Sequence, residues 1–111
     1  MKTKEFKLSR EDIRDIVPNM GGCFATDQIT VDGFKVGYMY REEPDEETDS
    51  GWRFFSGRET QEYADNPDNI MFCDVNTIAN YDNAIIPYLD SPYGSEFERV
   101  DNTDNFVRIS E

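Results

Sequence analysis

The sequence contains no histidine, which removes the commonest general base and the commonest zinc ligand. Cysteine is nearly absent as well. Cys23 and Cys73 are too few for a disulfide framework and form no CxxC pair. A nucleophilic cysteine would lack its usual imidazole partner, and two isolated thiols cannot build a structural zinc site. Both thiols are expected to be reduced and buried as small hydrophobes. No apolar run approaches the roughly 18 residues of a membrane span. The stretch MKTKEFKLSRED has bases but not the apolar segment of a signal peptide, so a cytoplasmic location is expected. There is no P-loop, GxGxxG or GxSxG motif, and no cofactor or metal is expected. Gly21-Gly22 reads as a turn signal.

Bases are scarce: 11 Lys and Arg stand against 24 Asp and Glu, a net charge of −13. Such a surface repels phosphate backbones and anionic membranes, so neither nucleic acid nor a membrane is expected as a direct partner. It suits solubility, or attraction to a basic protein. The acid is concentrated. Residues 42–74 hold eleven carboxylates against Arg53 and Arg58 alone, whereas residues 1–14 are mildly basic.

What the chain does have is aromatic side chains: one Trp, six Tyr and eight Phe. A chain of 111 residues is the size of one domain, residues 1–111, burying roughly 60–70% of its unfolded surface. Ser9 as N-cap, Asp12 in the first turn and the stripe Ile13, Ile16, Val17 predict a helix over residues 9–17, ended by Pro18. CFAT and QITV read as brief strands. Over residues 34–42, Phe34, Val36, Tyr38 and Tyr40 alternate with polar or small residues, which predicts a strand with that aromatic face in the core. WRFFS is the next strand, antiparallel to it beyond an acidic loop longer than a hairpin turn.

Ser56 and Glu59 form a capping box that predicts a helix through RETQEYA, ending near Asn66-Pro67. NIMFC reads as a buried strand. Val75, Ile78 and Ala79 suit one helical face, capped by Asp74 or Asn76. Pro87 and Pro92 break AIIPYLDSPYGS into irregular turns. FERV and NFVRIS are strand-like and joined as a hairpin. Without regular βαβ spacing, the fold class is α+β: a single domain with a largely antiparallel sheet and short flanking helices.

Carboxylates are the chemistry that remains. Two acids beside an aromatic platform could cleave a glycoside, but no spacing singles out a pair, and an enzyme is not expected. PDEETDSG resembles a calcium loop only loosely: counted from Asp45, Gly51 falls at position seven and Ser56 at position twelve. In YADNPDN, Pro67 stands where a flexible ligand would be needed. The remaining constellation is YREEPDEETDSGWRFFSG at 40–57, six carboxylates ahead of the only tryptophan. Either Trp52 and Phe54 face the core with Arg53 in solvent, or Trp52 stands at a rim as an aromatic anchor among acids. Residue types favour the core.

Several pieces stand together in order: GGCFAT at 21–26, VGYMYREEP at 36–44, SGWRFFSGRETQEY at 50–63 and NTIANYDNAIIPYLDSPYGSEFERV at 76–100. The combination resembles a small bacterial family, formerly listed as a domain of unknown function and now regarded as an immunity-protein family of polymorphic toxin systems. The resemblance covers about 80 residues, 21–100, leaving the N-terminal helix and the last eleven residues outside. It implies a cytoplasmic protein that neutralises a cognate toxin by stoichiometric binding, with no catalytic residue set. Toxin contact is expected at Glu42, Glu43, Asp45, Glu46, Glu47 and Asp49, supported by Trp52, Glu62 and Tyr63, with a basic toxin as partner. The competing readings are a ligand- or protein-binding domain unrelated to toxins, and a carboxylate-based enzyme acting on a sugar. No pattern in the sequence sets an oligomeric state.

Overall fold

Alternating side chains in six short segments give the chain its sheet, seen in a computed structural model that describes residues 5–109. Residues 1–4 and 110–111 lie outside the described residues, among them Lys2 and Lys4 of the basic N-terminal stretch and Ser110 at the end of NFVRIS. The strands are β1 (Gly22–Thr26), β2 (Tyr38–Arg41), β3 (Asp49–Phe55), β4 (Ile70–Asp74), β5 (Glu96–Arg99) and β6 (Phe106–Arg108). They form one sheet in the order β4-β1-β3-β2-β5-β6. Every neighbouring pair is antiparallel except β1 with β3. Short helices α1 (Asp27–Thr30), α2 (Gln61–Asp65) and α3 (Val75–Tyr81) and a 3-10 helix, Asn83–Tyr88, complete a single α+β domain.

The core lies between one face of the sheet and the helices. Cys23, Ala25, Met39, Trp52, Phe54 and Phe97 point inward from the strands. They meet Ile29 of α1, Val75, Ile78 and Ala79 of α3, and Ile85 and Leu89, all of them buried. Trp52 stacks on Phe54 at 5.8 Å between ring centroids, and its Nε1–H donates to Leu89 O at 3.2 Å, so the indole is buried without an unpaired donor. Burying each such side chain contributes about 1.5–3 kcal/mol. The expected helical face Val75, Ile78, Ala79 is present, with Asp74 at the N-cap position of α3.

Six expectations change. The helix over residues 9–17 is only a 3-10 turn, Arg10–Asp12, after which the chain runs without regular secondary structure along α3. Asn76 Oδ1 accepts from Ile16 N–H and Val17 N–H at 2.9 and 3.1 Å, and the Asn76 and Asn80 amides each donate to Arg14 O at 2.8 Å. These side chains satisfy backbone groups that a helix would pair internally, and so short a helix is marginal alone. QITV is not a strand: α1 takes its first three residues, because a helical turn inserts Ile29 into the core.

The strand expected over 34–42 is confined to β2, and its inward residue is Met39. Gly37 breaks the alternation; its backbone lies so close to Ser56 that a Cβ there would come within 2.1 Å of the Ser56 carbonyl oxygen. Tyr38 and Tyr40 therefore face away from the helices, and Phe34 is 40% exposed. NIMFC is the edge strand β4, covered on one side only, with Phe72 47% exposed. The Ser56–Glu59 box closes a turn rather than a helix. The Glu59 carboxylate accepts from Ser56 N–H at 2.8 Å and Gly57 N–H at 3.0 Å, and α2 starts later, capped by Thr60. The segment expected to be irregular contains the 3-10 helix, while FERV and NFVRIS do form the hairpin β5–β6.

Candidate interaction surface

Alternation within β3 sends Ser50, Trp52 and Phe54 into the core and Asp49, Arg53 and Phe55 to the opposite face. Trp52 is 0% exposed, so it cannot touch a partner as expected; its place is structural. Strand register then assembles the opposite face. One row runs Phe72, Phe24, Arg53, Tyr40, Glu96 across β4, β1, β3, β2 and β5. A second runs Phe55, Tyr38, Glu98, Val107 across β3, β2, β5 and β6. The helical layer packs on the other side, and rings here remain in contact with water: Phe24 is 38% exposed and Phe72 47%.

The rings are ordered by one another. Phe24 and Phe72 meet edge to face at 5.0 Å, and Phe72 lies over Gly22, where an added Cβ would come within 2.2 Å of the ring. Tyr40 stacks on Phe55 at 6.0 Å. Arg53 places its guanidinium 4.7 Å from the Phe24 centroid.

Arg53 also organises the two ends of the acidic connection. Its Nη1 and Nη2 donate to both oxygens of Asp49 at 2.9 and 2.8 Å, and its Nε donates to Glu42 Oε2 at 2.8 Å. Burial alone would lower the Arg53 pKa, but the two carboxylates outweigh it and hold the guanidinium above its ordinary value. The same bonds from Arg53, aided by Gly51 N–H, keep Asp49 below the usual carboxylate range against its burial. Burial raises Tyr38, reinforced by a hydrogen bond from its hydroxyl to Glu96; burial and the charge of Glu42 raise Tyr40. Both phenols stay protonated donors at neutral pH.

Of the nine residues expected to contact a partner, Glu42 and Asp49 are thus paired with Arg53, while Glu43, Asp45, Glu46 and Glu47 are exposed in the connection. The connection is tied down: Thr48 O accepts Gly22 N–H at 2.6 Å and Glu46 O accepts Asp49 N–H at 3.2 Å. Glu62 is exposed in α2, and Tyr63 is half-buried beside it. They lie beyond the far end of β3, roughly 20 Å of strand from the loop, so the structure does not bring them together with it. Phe24, Tyr40, Phe55, Phe72, Glu96 and Glu98, which share this face, were not among the residues expected to contact a partner. The available signal was Phe24 between Cys23 and Ala25, an aromatic that must face away if both small neighbours face inward. An open groove of about 1160 Å³ adjoins this face, lined by Tyr38, Phe55 and Glu98 at its near side and by Arg58 and Asn102 farther out. Among the described residues, no three His, Cys, Asp or Glu side chains converge where they could hold a metal ion.

A family model for the immunity protein Imm33 domain matches residues 23–110. The chain belongs to this family. The match runs beyond Val100 and takes in β6, which the sequence resemblance had left outside. Neither a curated protein nor a solved structure gives a significant match. Among the described residues no helix of this Imm33 domain is long and apolar enough to cross a membrane.

Proposed function

We propose that this Imm33 domain neutralises a cognate bacterial toxin by direct one-to-one binding in the cytoplasm, acting by occupancy and not by turnover. Membership of an immunity-protein family carries the reading. The net charge of −13 supports a basic toxin as partner, since many toxins that attack nucleic acids are basic and an acidic protein can cover such a substrate site. The exposure of Glu43, Asp45, Glu46 and Glu47, outside the Arg53 clamp, supports a role for them in accelerating encounter. The test is co-expression with the toxin domain encoded beside this chain's gene. Rescue of growth together with a one-to-one complex on size-exclusion chromatography is expected. Continued killing by that toxin, with the folded chain present and no complex recovered, would refute the proposal. Reversing the four loop charges should slow association and flatten its salt dependence. Glu42 and Asp49 are left in place, because reversing them would also break the clamp.

A further inference from the structure

We infer that the toxin docks on the open face of the sheet, the side turned away from the helices, and that this face receives a cationic protein surface. The inference rests on the toxin-binding function proposed above and adds to it a site and a chemistry. Phe24 and Phe72 are exposed on the open sheet face, where each is held by a neighbour, Phe72 by Gly22 and Phe24 by Arg53. Ordered exposed rings lose little freedom on binding and are the side chains that most often anchor an interface.

The charge on this face sets the partner. Asp49, Asp74, Glu96 and Glu98 share it by strand register, and Glu42 reaches it through Arg53. Among the described strand residues its only base is Arg53, which is already paired with two of those acids. Arg41 and Arg99 leave the strands on the opposite side, toward Leu89 O and Asp82. Aromatic faces and carboxylates together suit Lys and Arg side chains, through cation–π contact and charge-assisted hydrogen bonds. The acids of the 42–48 connection continue this surface beyond one end, where they would steer the same cations inward. A second copy is a poor occupant, because a twofold contact would set this acidic face against itself.

The test titrates the isotope-labelled full chain with a catalytically inactivated form of the toxin domain encoded beside its gene, and maps the perturbed amides. The expected footprint covers Phe24, Tyr40, Phe72 and Glu98. Phe72→Ser with Glu98→Lys should weaken binding by about tenfold or more, with the melting curve checked for folding. Glu98→Lys alone, at an exposed position, serves if the pair does not fold. Asp15→Lys and Asp90→Lys, exposed and off this face, should leave affinity unchanged. A complex whose footprint lies on the helical layer, with affinity indifferent to Phe72 and Glu98, would overturn the inference and leave the proposed function standing. Self-association of the chain through this face would overturn the cationic occupant. Absence of any complex would remove the function and the inference with it.

Discussion

Asp82→Ala should destabilise the fold by about 3–5 kcal/mol, because Asp82 clamps three elements from inside the core. The residue is only 3% exposed. Its Oδ2 accepts Val36 N–H at 3.0 Å ahead of β2, its Oδ1 accepts Ala84 N–H at 3.1 Å in the 3-10 helix, and Arg99 of β5 donates to Oδ2. Alanine leaves the buried Val36 N–H without an acceptor, which costs about 1–3 kcal/mol. It also strips a guanidinium that is 13% exposed of its buried partner. The lower half of the range is expected, since Arg99 keeps Val36 O at 2.7 Å and Thr103 O at 2.8 Å. Asp82→Asn, which retains an oxygen and the shape, should cost about 2 kcal/mol. Urea unfolding followed by the fluorescence of buried Trp52 measures each variant. A double-mutant cycle with Arg99→Ala should give a coupling of about 2 kcal/mol. Effects that add to within about 0.5 kcal/mol would refute the clamp.

Gly51 has φ of 93°, and a Cβ there would come 2.0 Å from the Glu42 carbonyl oxygen. Gly51→Ala should therefore lower the melting temperature by about 10 °C or more, whereas Gly94→Ala, with φ of 94° but open space around it, should cost only about 1 kcal/mol. Calorimetry on both variants separates the clash from backbone strain. In Glu59 burial raises the pKa, but the Thr26 hydroxyl and the N–H groups of Ser56, Glu59 and Gly57 outweigh it; Asp49 is lowered by Arg53. Both folded values lie below the ordinary 4.5 and 3.8, so the unfolded chain takes up protons first as pH falls. Their stabilisation should be complete above about pH 5 and lost as pH falls through the folded values, and unfolding curves from pH 6 to 3 check it. Burial, with Cys73 opposite, holds the Cys23 thiol well above its ordinary pKa. In the folded protein a disulfide reagent at pH 8 should modify Cys73 first and reach Cys23 only on unfolding, and equal rates would contradict the burial.

Several elements were legible because local pattern and tertiary environment agree. Val75, Ile78 and Ala79 repeat at helical spacing and do face the core, and the β5–β6 hairpin follows two apolar segments around a polar turn. Where they disagree, a distant partner decided. The Asn76 and Asn80 amides replaced the intrahelical bonds expected beyond Ser9, a demand that no window around residues 9–17 records. Asp82 and Arg99 stand 17 residues apart, and nothing near either marks them as a pair.

The candidate surface divides in the same way. The linear sequence alone determined the acidity, the lack of imidazole chemistry and the crowding of carboxylates ahead of Trp52, because these are counts and positions that folding cannot alter. Period-two alternation determined that Trp52 and Phe54 share one side of a strand. It could not say which side of β2 meets the helices, and Gly37, pressed against Ser56, turned Tyr38 and Tyr40 to the open face. Only strand register, which pairs residues dozens of positions apart, set Phe72 beside Phe24, Arg53 between Phe24 and Tyr40, and Glu96 beside Tyr40.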